Sequence, residues 1–218
     1  MSIPTLPSYP MPTGPVANRV NWQLEPSRAV LLIHDMQHFF LNKFDVNAEP
    51  IPTLVANIQA IKATCAAAGI PVVYTAQPTE QSPENRGLLT DFWGPGLSDP
   101  NALAEQAVIP ELAANENDIV QTKWRYSAFF RAPLEEQMKA WGRDQLIVTG
   151  IYAHIGCMTT ALVAFMNDIQ AFLVQDAVAD FSAEDHAMAV RYVSQRCGVS
   201  LNRNELEAQL SNSGTHTS

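Results

Sequence analysis

The strongest pattern in the chain is a series of short apolar runs separated by stretches with helical spacing. Ala29 to Ile33 (AVLLI), Pro71 to Thr75 (PVVYT), Gln145 to Thr149 (QLIVT) and Ala171 to Val174 are too short for helices. They read as strands buried on both faces. Asp118 to Thr122 is a weaker strand signal. Residues 51–69 set Leu54, Val55, Ile58, Ile61 and Cys65 at helical spacing, with Gln59 and Lys62 on the polar side and Gly69 as the stop. Further helices are predicted over 133–141, over 156–168, from Ser182 to about Cys197, and over 204–210. Ser182 with Asp185 three residues later suits a helix start. The alternation of strand and helix predicts a three-layer α/β/α fold with a central, mainly parallel sheet.

The ends break this pattern. Residues 1–28 contain Pro4, Pro7, Pro10, Pro12, Pro15 and Pro26, which predicts an extended arm wrapped over the domain or a neighbouring subunit. Residues 29–210 then form the domain, and 211–218 are a polar tail. A polar excursion from Gln77 to about Pro100, with WGPG at 93–96, predicts a loop with a short helix. Excursions this long in compact domains are often functional.

Composition narrows the partners. The 218 residues suit one α/β domain. A net charge of -9, from 13 Lys+Arg against 22 Asp+Glu, argues against nucleic acid and membrane surfaces. It leaves an anionic small substrate open, because a few cations can dominate one pocket. Cys65, Cys157 and Cys197 are odd in number, far apart and without zinc spacing, as expected of free thiols in a reducing compartment. His34 and His154 lack further ligands nearby in sequence, so neither metal nor cofactor is expected, and both histidines read as structural or as supports behind the site. The amino terminus has no basic segment followed by an apolar stretch, so the cytoplasm is expected.

Three polar features sit at predicted strand ends: Asp35, Lys123 and the stretch from Tyr152 to Cys157. In a parallel sheet these gather at one edge, where such folds bind ligands. Taken singly, Asp35 also suits a helix cap and Lys123 a solvated charge.

Longer segments are more specific. LLIHDMQHFF (31–40), YTAQP (74–78), RGLLTDFWGPGL (86–97), TKWRYSAFF (122–130), TGIYAHIGCMTTA (149–161) and VQDAVADFSAEDH (174–186) together resemble the isochorismatase family, in order, from about residue 3 to about residue 205. The resemblance implies strand order 3-2-1-4-5-6, a homodimer and a chorismate-derived substrate. The wider superfamily includes thiol amidohydrolases that use an Asp, a Lys and a Cys. Here the first two match Asp35 and Lys123, whereas the third falls on Gly156, with Cys157 one residue on. One residue along a helix turns a side chain by about 100°, so Cys157 is expected to point away from the pocket.

The implied reaction is hydrolysis of an enolpyruvyl ether. It needs a general acid and water but no thiolate. Asp35 is the expected acid, with Lys123 and Gly156 beside it. Gln77, Arg86 and Tyr152 are implied to hold the polar groups of the substrate, and Phe39 and Trp93 to wall its ring. The expected substrate is isochorismate, for siderophore synthesis; the alternative is its 2-amino analogue, for phenazine synthesis. No carrier motif follows the domain, which tilts the expectation toward the phenazine type or a stand-alone isochorismatase. A thiol amidohydrolase, or a non-catalytic scaffold binding a synthase partner, is less favoured.

Overall fold

The computed structural model describes residues 3–212. Six parallel strands form one sheet: β1 (Ala29–His34), β2 (Val72–Ala76), β3 (Ile119–Thr122), β4 (Gln145–Ile151), β5 (Gln170–Ala179) and β6 (Gly198–Leu201), in the order β3-β2-β1-β4-β5-β6. β1 is buried at every position, as its unbroken apolar run requires. Its alternate side chains enter opposite cores. Leu31 and Ile33 pack with α2 (Ile51–Ala67), while Val30 and Leu32 face the other way. After the short turn α1 (His38–Leu41), α2 buries Leu54, Ile58 and Ile61 completely. Each contributes about 2 kcal/mol by leaving water.

The long excursion folds into two short helices, α3 (Pro83–Arg86) and α4 (Leu89–Trp93), followed by 3-10 turns. On the second face lie α5 (Leu134–Ala140), α6 (Met158–Met166) and α7 (Ala183–Arg196), the last capped by the Ser182 hydroxyl accepting from the Asp185 N–H. α8 (Arg203–Asn212) returns to the face of α2 through Leu206 and Leu210. The result is three layers.

Two elements depart from the sequence reading. β6 carried no separate signal, because its four residues follow α7 directly and the helical pattern runs into them. The helix expected over 156–168 begins as a π turn over Ala153–Cys157, in which the N–H groups of Ile155, Gly156 and Cys157 converge on the Tyr152 carbonyl. The tail expected over 211–218 lies mostly outside the described residues.

The arm is extended, as its prolines require, and lies on its own domain: Leu6, Tyr9, Met11 and Leu24 are buried. Its best anchor is Tyr9. The Gln175 carbonyl must take a proton from His186 Nε2 (2.8 Å), so Nδ1 is left to accept from the Tyr9 hydroxyl (2.9 Å). The Tyr9 oxygen in turn accepts the Asp180 N–H at 2.7 Å.

The strand order reverses between β1 and β4, and the crevice at their carboxyl ends is where such sheets take ligands. Contact between the two strands there depends on Gly150. Its φ is +105°, and a Cβ would meet the His34 carbonyl oxygen at 2.2 Å, backbone that has nowhere to move. Gly150→Ala is therefore expected to cost at least about 2 kcal/mol from combined strain and overpacking. Urea denaturation measures this, and wild-type stability in the variant would remove the constraint.

Candidate active site

Asp35 leaves β1 in the left-handed region, with φ of 50°. A non-glycine residue held there is a mark of local strain, which collects at functional sites. The turn is held by the Asp35 N–H donating to the Thr75 carbonyl at 3.2 Å. It aims the carboxylate into the crevice, where Oδ2 accepts from Lys123 Nζ and Oδ1 from the Thr75 hydroxyl, both at 2.7 Å. Asp35 and Lys123 are 4 % and 3 % exposed. Lys123 comes from the end of β3, tied down by its N–H to the Ala76 carbonyl. Two charges this deep hold only as a pair.

The pair lies on the wall of a pocket. All eight residues singled out from the sequence line it: Asp35, Lys123, Gly156, Gln77, Arg86, Tyr152, Phe39 and Trp93. Their roles differ. Arg86 is buried, donates through Nε to the Gly94 carbonyl at 2.8 Å and reaches Gln77 Oε1 at 3.4 Å. Among the described residues it forms no ion pair with a carboxylate. Burial, and then the nearby Arg125, push its pKa down, so an anion entering the pocket would relieve both. Gly96 makes room for it: with φ of +59°, a Cβ there would stand 2.6 Å from an Arg86 terminal nitrogen.

Tyr152 lines the pocket, and its hydroxyl proton is taken by the Phe40 carbonyl at 2.9 Å. Trp93 donates to the Tyr126 hydroxyl at 3.0 Å and meets the Phe181 ring edge-on at 5.9 Å. Phe181 also packs on Tyr152 at 4.8 Å, completing an aromatic wall.

Several residues of the site went unread in the sequence. Thr75 gave a usable signal, as a polar residue in an apolar strand, and His34, read as structural, lines the pocket as well. Gln37 is fully buried, and its amide fastens the Gln77 and Gln106 backbones, holding the excursion over the pocket. Phe181, Tyr126, Ile155 and Ile3 line the pocket through tertiary contact and carry no local pattern.

Cys157 is fully buried in the core on the far side, with its thiol 4.0 Å from the Thr149 carbonyl. Burial first, and then Asp180 and Asp35, push its pKa well above the ordinary value, so it is a thiol and not a thiolate. At the rim, the His154 ring pairs with Asp180 and stacks edge-on against Phe181 at 5.3 Å. Burial opposes its charge, but the Asp180 hydrogen bond and the charges of Asp180 and Asp185 together outweigh burial, so its pKa is raised. Among the described residues no group of three His, Cys, Asp or Glu could hold a metal, and no helix is long and apolar enough to cross a membrane.

His34 is neutral at ordinary pH. Burial pushes it down from 6.5 to about 4, against the pull of Asp35 and with the push of Lys123. As pH falls, the unfolded chain takes the proton first, so stability present above pH 6.5 is lost between 6.5 and 4. The full effect is about 3 kcal/mol. His186, also lowered, acts in the same direction. His154, being raised, adds stability at low pH that fades as pH rises through its folded value. His34→Asn should flatten the acid fall in unfolding free energy; an unchanged slope would assign it elsewhere.

Comparisons with known proteins show the family of the chain. The isochorismatase domain pattern matches residues 29–205. The isochorismatase of Bacillus subtilis is 54% identical over 97% of this chain and 68% of its own length. Enterobactin synthase component B of Escherichia coli is 50% identical over 91% of this chain and 70% of its own. Phenazine biosynthesis protein PhzD1 of Pseudomonas aeruginosa is 46% identical over 94% of this chain and 98% of its own. The fold is shared with a cysteine hydrolase from Pseudomonas syringae, at a TM-score of 0.78 and 21% identity, covering 89% of this chain and 97% of that one. A buried Asp–Lys pair at the switch point of this sheet, in a chain matched from β1 to α8, identifies it as a member of the isochorismatase family.

Proposed function

We propose that this enzyme hydrolyses the enolpyruvyl ether of isochorismate, yielding 2,3-dihydro-2,3-dihydroxybenzoate and pyruvate, with Asp35 as the general acid. The observation that carries the reading is the Asp35–Lys123 pair beside a bare Gly156, in one pocket with a buried Arg86 that forms no ion pair among the described residues. Asp35 delivers a proton to the terminal vinyl carbon. The resulting oxocarbenium ion takes up water, and the hemiketal collapses to the ring alcohol and pyruvate. No acyl group moves, so no thiolate is needed. Asp35 must carry the proton it gives. A substrate carboxylate drawing Lys123 toward itself would loosen that cation's hold on Asp35. Arg86, which lines the same pocket, suits a second carboxylate, and Phe39, Trp93, Tyr152 and Phe181 enclose the ring.

The relatives named isochorismatase and enterobactin synthase component B support this substrate and a place in siderophore synthesis. The relative named for phenazine biosynthesis supports the 2-amino analogue as the second reading. Pyruvate release from the two substrates, measured side by side, separates them. We expect at least a tenfold higher kcat/KM for isochorismate, and the reverse ratio would move the assignment to the analogue. The same reading includes a homodimer in the cytoplasm, consistent with three free, buried cysteines, and a synthase as pathway partner. Sedimentation of a monomer at micromolar concentration would remove the dimer.

Two variants test the mechanism. Asp35→Asn should bind substrate yet release pyruvate roughly a hundredfold more slowly, or worse; near-normal turnover would take Asp35 out of the acid role. Cys157→Ala should keep most activity, with a packing loss of about 1–2 kcal/mol in stability. A folded but inactive Cys157→Ala would return the chain to thiol chemistry.

A further inference from the structure

Position 156 faces the pocket beside Asp35, and its glycine puts no side chain there. A Cβ at 156 would stand 2.0 Å from His34 Cε1, 2.6 Å from Nε2 and 3.0 Å from Nδ1. Backbone conformation does not demand glycine, since its φ lies outside the left-handed region. The imidazole demands it.

That ring is fixed. It is 1 % exposed, and its Nδ1–H donates to the Ile151 carbonyl at 2.7 Å. The Tyr126 carbonyl stands 3.3 Å from Nε2 and closes the other side. Swinging the ring away would strip the Ile151 carbonyl of its donor inside the core, which is costly. The rest of the machinery for an attacking group is present: Lys123 and Asp35 share the pocket with position 156. What is missing is the volume.

We propose that residues 34 and 156 form a coupled pair that sets the type of reaction this pocket performs. The His34 imidazole occupies the place an attacking side chain would need, and closes the covalent route. His34 is thus a specificity residue acting through bulk. Burial keeps it uncharged, which leaves the Asp35–Lys123 pair without a third charge 3.7 Å away. The inference stands on packing alone, so it holds or fails independently of the ether substrate.

Thiol labelling tests it, because Cys65, Cys157 and Cys197 are all buried and give a quiet background. G156C and H34A/G156C are treated with iodoacetamide under native conditions, and the labelled peptide is identified by mass. The new thiol should react at least tenfold faster in the double variant than in the single one. The melting temperature lost in G156C should be partly regained in the double variant. Equal labelling rates, or additive effects on melting temperature, would overturn the proposal. If H34A/G156C does not fold, H34N/G156C keeps a donor near the Ile151 carbonyl and takes its place. If neither folds, G156A decides: it should melt well below wild type with a displaced His34 ring resonance, and a wild-type melt with an unmoved ring would reject the pairing.

Discussion

The buried ion pair between Asp35 and Lys123 governs the rest of the molecule. Taking one partner away strands the other charge in the interior, at a cost of about 3–5 kcal/mol. The fold therefore has to deliver both charges together, from the end of β1 and the end of edge strand β3, across the intervening β2. β2 contributes the third member, since the Thr75 hydroxyl fills the carboxylate oxygen that Lys123 leaves open. The left-handed turn at Asp35 is held in the same place, by hydrogen bonds to the same Thr75. Sheet register and site geometry are thus one constraint: a slip of one residue in the β1–β2 pairing would turn Thr75 away from Asp35.

A second constraint comes from close approach. β1 and β4 meet at the switch point with so little space that Gly150 lies against the His34 backbone and Gly156 against the His34 ring. One histidine at the end of a strand thereby fixes two glycines far along the chain. The Tyr9 network works at the other rim. It ties the proline-rich arm to His186 and to the Asp180 backbone, next to Phe181, so the aromatic wall rests partly on the arm. Gln37 does the same for the excursion that carries Arg86 and Trp93.

Much of this was legible beforehand. The buried strands advertise themselves as unbroken apolar runs, and the polar residues that end two of them, Asp35 and Lys123, lie together in the pocket. The family motifs added Gln77, Arg86, Phe39 and Trp93, all of which line the pocket. The Tyr152 hydroxyl donates to the Phe40 carbonyl, a bond between residues 112 apart that no local pattern announces. β6 was hidden for a different reason: four residues directly after a helix carry too little periodicity to separate from it.

The sequence alone determined the class of fold, the alternation of layers, the strand-end positions of Asp35 and Lys123, and the absence of a thiol at position 156. These follow from local pattern and residue identity, which the chain carries in one dimension. Only the tertiary structure decided that Thr75 completes the carboxylate's shell, that Phe181 and Tyr126 close the pocket, and that glycine at 156 is required by His34. Each of these is a contact between residues far apart in the chain. Such contacts depend on sheet register and on which side chain fills which volume, and neither is written in the spacing of residues along a single segment.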